Sequence, residues 1–428
     1  MILGACIMGL GMHLAAWRAR EGDAADYLDP ALYTELARTA ERGKLHFLFL
    51  ADTLTNAEEG TDRPALGAMD PAVVLAIMAA ATSRVGLVGT ASTTFNAPYD
   101  LARRFATLDH LSRGRAGWNA VTTFVPAVAE NFGDRELPDR EDRYANAREF
   151  LDVVLALWDS WGAGALVGDK AAGVFADPAL VYPIDHRGEH FTVRGPLTVP
   201  RTPQGRPALF QAGSSPSGRD LAARYAEVVF TAQNVLDLAV EFRADIRART
   251  AGHGRDPDRV KVVPGLLPVL GETEAAAWER KRRMDELAGT GPELAKLARR
   301  IGVPVEALDL DAPLPVDRLS PDEEFRGSVG FRRAAVALAV EERLTVRELL
   351  VRNGGGHLQV VGTAEQVADV IEHWHREGAV DGFNLMIDMV PSGLDDVVEQ
   401  LVPELQRRGL LHDDYEHETL RANLGVIA

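Results

Sequence analysis

The stretch LDHLSRGRAGWNAVTT (residues 108–123) decides the fold. Leu101, Phe105, Leu108 and Leu111 recur at spacings of four, three and three, which is one face of a helix ending here. Gly114 follows at the place where the chain must turn with φ > 0. A strand then begins near Arg115. Gly117 leaves room for close backbone approach, and Trp118, Asn119, Val121 and Thr122 carry the strand outward. Asn119 is expected near its carboxyl end. Helix, turn, strand and polar tip form the repeating unit of a (β/α) barrel, and the strand tips are where such barrels do chemistry.

Outward from this stretch the unit repeats. Upstream, residues 2–11 read as a first strand and 45–50 as a second, closed by Ala51-Asp52-Thr53. Pro30 and Pro71 each stand in the first turn of a predicted helix, with Asp70 as a cap. A third strand, 85–89, ends in Thr90-Ala91-Ser92-Thr93-Thr94, and Pro98 opens the helix into the central stretch. Downstream, 144–161 is a long amphipathic helix, and strands are expected at 208–212, 228–231, 261–267 and 382–389. Strands and helices that alternate in this way build a parallel sheet. Two stretches are too long for one crossover. Residues 162–207 carry many Gly, Pro and His and an alternating His190-Phe191-Thr192-Val193. Residues 273–356 are mostly helical and charged, with breaks at Pro304 and Pro313-Leu314-Pro315. The prediction is an α/β protein: a (β/α)8 TIM barrel over residues 1–428 as one domain. Both insertions are expected at the C-terminal face, the first as a hairpin-bearing cover over the mouth.

Composition sets bounds on function. The 428 residues carry a net charge of −17. That argues against nucleic acid or an anionic membrane as partner, since both require basic patches. Cys6 is the lone cysteine, so no intramolecular disulfide forms, and its apolar strand makes it a core residue. The apolar N-terminal run lacks a preceding basic region and is short for a membrane span, so a cytoplasmic location is expected.

The predicted strand tips present mostly neutral hydrogen-bonding groups: Asp52, then Thr90 and Ser92, Asn119 and Thr122, Ser214 and Ser215, and Gln233. One carboxylate among neutral groups suits a large polar heteroaromatic ligand better than acid–base hydrolysis. Gly213 to Arg219 follows an apolar strand and opens a helix. Small residues and a helix N-terminus make it the candidate phosphate site. A plain serine N-cap is the competing reading. His13, near the end of the first strand, is the histidine expected to face the site. His186 and His190 fall in the first insertion, and His373 and His375 face different ways on one helix. The sequence has no HExxH, CxxC, Walker or GxSxG motif, and no metal site is expected.

Several strings together resemble the bacterial-luciferase-like flavin monooxygenases, in their nitrilotriacetate and dibenzothiophene-sulfone monooxygenase branch. They are FLADT (49–53), GTASTTFNAPYDLARRFATLDHLSRGRAGWNAVTT (89–123), ENFGD (130–134), DRYANAREFLDVVLALWDSW (142–161), QAGSS (211–215) and DGFNLMI (381–387). The resemblance implies a barrel that takes reduced FMN from a separate NAD(P)H-dependent flavin reductase, reacts it with O2 and oxygenates a small organic substrate. It implies FMN contacts at Asp52, Thr90, Tyr144, Ser214 and Ser215, and a polar tip at Asn119 that serves both cofactor and chemistry. His13 and Arg140 complete the expected catalytic set. Arg140 stands where the family has a histidine four residues before the tyrosine of its RY motif. A homodimer or homotetramer is implied as well. Two rival readings share the fold: an oxidoreductase using the deazaflavin F420 for hydride transfer, and a flavin-binding protein without activity.

Overall fold

The structure is a computed structural model that describes residues 1–56, 67, 69–133, 136–322 and 324–427. Eight parallel strands close a barrel: β1 (Ile2–Ile7), β2 (Phe47–Leu50), β3 (Gly86–Ser92), β4 (Ala116–Val121), β5 (Ala208–Gln211), β6 (Val228–Thr231), β7 (Lys261–Leu270) and β8 (Gly382–Met386). Each pairs with its successor, and β8 returns to β1 with Ile2 opposite Gly382. This is a (β/α)8 TIM barrel.

Alternation along each strand explains the two cores. Cys6, Phe49, Val88, Phe210, Val263, Leu267 and Met386 point inward and fill the barrel. The C-terminal Leu420, Leu424 and Val426 join them as a plug at the amino-terminal end. Leu48, Leu87, Trp118 and Leu209 point outward against the helices. Gly117 faces inward, where an added Cβ would lie 3.0 Å from Val88. Burial pushes the Cys6 thiol up to about 12, so it stays protonated and inert.

Three helices begin where the sequence predicts, while the long one predicted from 144 starts earlier, at Arg140. Pro30 opens α1 (Pro30–Arg42), Pro71 opens α2 (Pro71–Ala81) and Pro98 opens α3 (Pro98–Leu111). Asp29 and Asp70 cap the first two by accepting from Ala31 N–H and Val73 N–H. The turn after α3 runs through Arg113 and Gly114, both at positive φ. Arg115 then latches that turn to the end of α2. Its guanidinium donates to the carbonyls of Ser112, Val85, Ala79 and Thr82.

The second insertion begins after β7 and covers the mouth with α7 (Glu274–Ala288), α8 (Thr290–Ile301) and α9 (Val329–Glu341). It returns through the short strand Leu358–Gly362, which extends the outer half of β7. The first insertion lies elsewhere than expected. The helix after β4, α4 (Arg140–Asp159), carries the chain back toward the amino-terminal end before the insertion starts. The insertion therefore packs on the outer flank of the barrel. Glu149 of α4 accepts from His190 N–H and Phe191 N–H and pairs with His186 at 2.9 Å. His110, at the end of α3, bonds the Pro200 carbonyl at 2.9 Å. Among the described residues no helix is long and apolar enough to cross a membrane.

Candidate active site at the carboxyl-terminal mouth

The barrel register sets Thr90 opposite Asn119, and Asn119 opposite Phe210. Asn119 donates from Nδ2 to Thr90 Oγ1 at 3.0 Å. Its Oδ1 is buried without a partner. An unpaired buried acceptor is costly, by about 1–3 kcal/mol, unless something completes it. Further up the same tips, Thr123 donates to Ser92 Oγ at 2.8 Å and Asn96 Nδ2 donates to the Ser92 carbonyl.

Asp52 ends β2. A cavity of about 210 Å³ joins it to Asp70, Thr90, Asn96, Arg104 and Phe132. Burial lifts its carboxyl to about 6; the Asp70 carboxylate adds to the rise and Arg104 opposes it. Residues 57–66 and 68 of the following loop, and Asp134 of the ENFGD string, lie outside the described residues.

The phosphate candidate is a cradle built on glycine. Ser215 caps α5 (Pro216–Tyr225), its Oγ accepting from Gly218 N–H at 3.1 Å. The same hydroxyl lies 3.4 Å from Tyr144 Oη, on the first turns of α4. A Cβ at Gly218 would meet Tyr144 Oη at 2.9 Å and the Gly213 backbone at 3.0 Å, so only glycine lets these three elements meet. The helix start and two hydroxyls face one place, an arrangement that suits an anion. The serine N-cap reading is what the structure shows, and the candidate phosphate site would use the same residues. Ser214 turns the other way. Its Oγ lies 3.1 Å from Thr231 Oγ1, with Gly330 of α9 packed over it. Arg219 is engaged by the Ser214 carbonyl and by Asp245 of α6 (Leu236–Gly252).

His13 and Arg140 stand at the rim but tie it to the second insertion. His13 Nδ1 accepts from Ala15 N–H, which leaves the proton on Nε2 to be donated to Asp285 of α7 at 3.0 Å. Both ring nitrogens are thus engaged. Arg140 donates to the carbonyls of Asp322 and Phe325.

Two further polar residues escaped the sequence reading. His357 follows the Gly354–Gly356 turn and lies between Phe230 and Phe331, with ring centroids 5.2 and 4.9 Å away. Burial first, then Arg300 and Lys296, hold it down at about 3, so it is a neutral imidazole. Its Nδ1 has no partner. Asn384, inside β8, keeps both amide atoms buried and unpaired. The only available signal was a polar residue within the apolar run GFNLMI.

The profile of the luciferase-like monooxygenases matches residues 11–381. The chain is 43% identical to nitrilotriacetate monooxygenase component A of Aminobacter aminovorans, covering 100% of this chain and 96% of that protein. It is 42% identical to the dibenzothiophene-sulfone monooxygenase of Rhodococcus erythropolis, over 96% and 93% of the two chains. The solved riboflavin lyase, described with modified FMN and riboflavin, superposes with a TM-score of 0.85 at 31% identity, covering 99% of this chain and 96% of that one.

Proposed function

The chain belongs to the luciferase-like monooxygenase family and is a monooxygenase, and from that premise we propose that it is the oxygenase half of a two-component system using reduced FMN and O2. The observation that carries the cofactor assignment is the cradle of Tyr144, Ser215 and Gly218 one strand away from the Thr90–Asn119 pair. In this reading Tyr144 Oη, Ser215 Oγ and the Ser217 N–H hold the phosphate, since Pro216 has no N–H and that of Gly218 goes to the Ser215 cap. Asn119 Oδ1 offers its free acceptor to a ring N–H, and Asp52 and Thr90 border the ring. The residues present therefore fit the cofactor. Reduced flavin supplies the two electrons that activate O2, one oxygen atom going to the substrate and the other to water.

This chain's own residues position and shield. The second insertion closes over the mouth, and His13 and Arg140 fasten it there, which excludes water from the oxygen chemistry. The term "component A" in the name of one relative supports a separate NAD(P)H-dependent flavin reductase as partner. We place the protein in the cytoplasm, as a homodimer or homotetramer. Anaerobic titration with reduced FMN, followed by O2 uptake with NADH, a flavin reductase and candidate organic substrates, tests the reading. Saturable binding and reductase-dependent uptake are expected. No binding of reduced FMN, or full NADH-driven activity from this chain alone, overturns it.

A further inference from the structure

One polar layer inside the barrel is left over once the cofactor site is accounted for. Barrel interiors fill in layers, four side chains to a layer, drawn from alternate strands. One such layer here is Phe49 of β2, Asn119 of β4, Phe230 of β6 and Asn384 of β8. The Phe49 and Phe230 rings meet across the barrel with centroids 5.4 Å apart, and Asn119 and Asn384 lie on opposite sides of that pair. Asn384 is 1% exposed, and neither its Oδ1 nor its Nδ2 has a partner among the described residues. Its neighbours in register are both glycine, Gly4 and Gly265. The space over Gly4 goes to the Phe47 ring, and that over Gly265 to His357, whose Nδ1 would lie 2.2 Å from an added Cβ. His357 thus enters the barrel beside Asn384, and its Nδ1 is orphaned too. A purely structural asparagine would be bonded by its neighbours. Here three buried polar atoms on two adjacent side chains stand unsatisfied, and each is costly unless something completes it.

We propose that Asn384 and His357 hold an uncharged, amide-like group of the substrate. The assignment rests on the flavin site proposed above, which draws on β2 to β5 and leaves the β7–β8 side of the barrel to the second reactant. The side chains define the chemistry. Asn384 brings a carbonyl and an NH2, so it answers a group that both accepts and donates. His357 is neutral and lies between Phe230 and Phe331, so it adds a hydrogen bond and no charge. The two cations near it are spent elsewhere. Arg300 lies over the Phe331 ring at 5.7 Å and donates to the carbonyls of Asn353 and Gly354. Lys296 stands 3.9 Å from Glu293. A carboxylate brought between Asn384 and His357 would find no cation free to pair with it, and burying it there is costly. The aromatic walls suit a flat apolar body behind the polar group. Gly354, Gly355 and Gly356 immediately precede His357, and a turn of three glycines lets the imidazole yield as that group enters.

Three probes of similar shape test this: benzamide, benzoate and toluene, titrated by NMR into the full chain with and without reduced FMN, under anaerobic conditions. Benzamide is expected to bind on the order of ten-fold more tightly than toluene or benzoate. Asn384→Leu keeps the volume and should bring benzamide down to the level of toluene. His357→Phe, which keeps the ring, should do so in part. Reduced-FMN affinity should be unchanged in both. The Tm of Asn384→Leu should be no lower than that of wild type, because the change removes an orphaned buried amide. Benzamide binding no tighter than toluene overturns the proposal, as does a preference for benzoate, which would mark an anionic substrate. Loss of reduced-FMN affinity in Asn384→Leu would assign the amide to the flavin and overturns it as well. So does a lower Tm with the probe ratio kept, the mark of a structural asparagine. Should wild type fail to bind reduced FMN, the cofactor reading falls, and the benzamide ratio measured on the chain alone still decides whether this pair selects an uncharged group.

Discussion

Asn119 gives its side-chain amide to the Thr90 hydroxyl at 3.0 Å, across two neighbouring strands of the barrel, and leaves its own carbonyl oxygen buried and unpaired. A barrel interior is poorly hydrated, so an acceptor held there by a neighbour's hydroxyl is already oriented for a ligand. Asn119→Ala removes that acceptor and also strips Thr90 of its donor. Reduced-FMN affinity should fall by about 1–3 kcal/mol, roughly 5- to 150-fold. Anaerobic fluorescence titration measures it. Unchanged affinity would remove Asn119 from the cofactor site.

The cradle makes a prediction that separates phosphate from ring. Tyr144→Phe deletes one hydroxyl and leaves the Ser215 cap of α5 intact. It should weaken FMN binding several-fold and leave riboflavin, which lacks the phosphate, unaffected. Ser215→Ala should weaken FMN too, and in addition lower stability by about 1 kcal/mol through loss of the cap. Paired FMN and riboflavin titrations with thermal melts resolve the two effects. Equal losses for both flavins would place Tyr144 against the ring instead.

Asp52 gives the site a pH signature. Burial and the nearby Asp70 lift its carboxyl to about 6, against opposition from Arg104. A carboxyl with a raised folded pKa binds more protons folded than unfolded between roughly pH 4 and 6. Its contribution to stability therefore falls as pH rises through that window, and the full penalty stands above it. Asp52→Asn removes the penalty. The Tm of the variant should match wild type near pH 4 and exceed it above about pH 6. A variant less stable than wild type at pH 7 would show that the carboxylate is stabilised there.

How much of this was legible depends on what each feature rests on. Strand tips are readable because turn chemistry and the barrel's polarity are local. Asn119 and Ser215 could be placed from single stretches for that reason. The side-chain directions at Ser214 and Arg219 could not. They depend on α9 and on Asp245, which join them only through the tertiary fold. His357 looked like a residue after a glycine run, and nothing local says that Phe230 and Phe331 enclose it. The first insertion is a different case. A helix that follows a strand returns the chain to the amino-terminal end, so direction alone puts residues 162–207 on the flank. Their hairpin-like composition said nothing of this.

Arg140, which the resemblance sets where the family has a histidine, is predicted to act mechanically. Its guanidinium bonds two carbonyls, of Asp322 and Phe325, from the start of α4. It thereby fastens the second insertion beside the cradle that Tyr144 closes one turn later. A neutral histidine has a single N–H and could not hold both carbonyls; nor does a lysine present two rigidly spaced donors. Arg140→Ala frees the segment and leaves two carbonyls to water, and Arg140→Lys should restore little. Water then reaches the oxygen chemistry, so the fraction of consumed O2 released as hydrogen peroxide should rise several-fold. Reduced-FMN affinity should change less than in Tyr144→Phe. Peroxide yield measured against product formed gives the answer. If Arg140→Ala stops product formation with no added peroxide, and binding is intact, the guanidinium acts on the substrate itself, and the mechanical role is refuted.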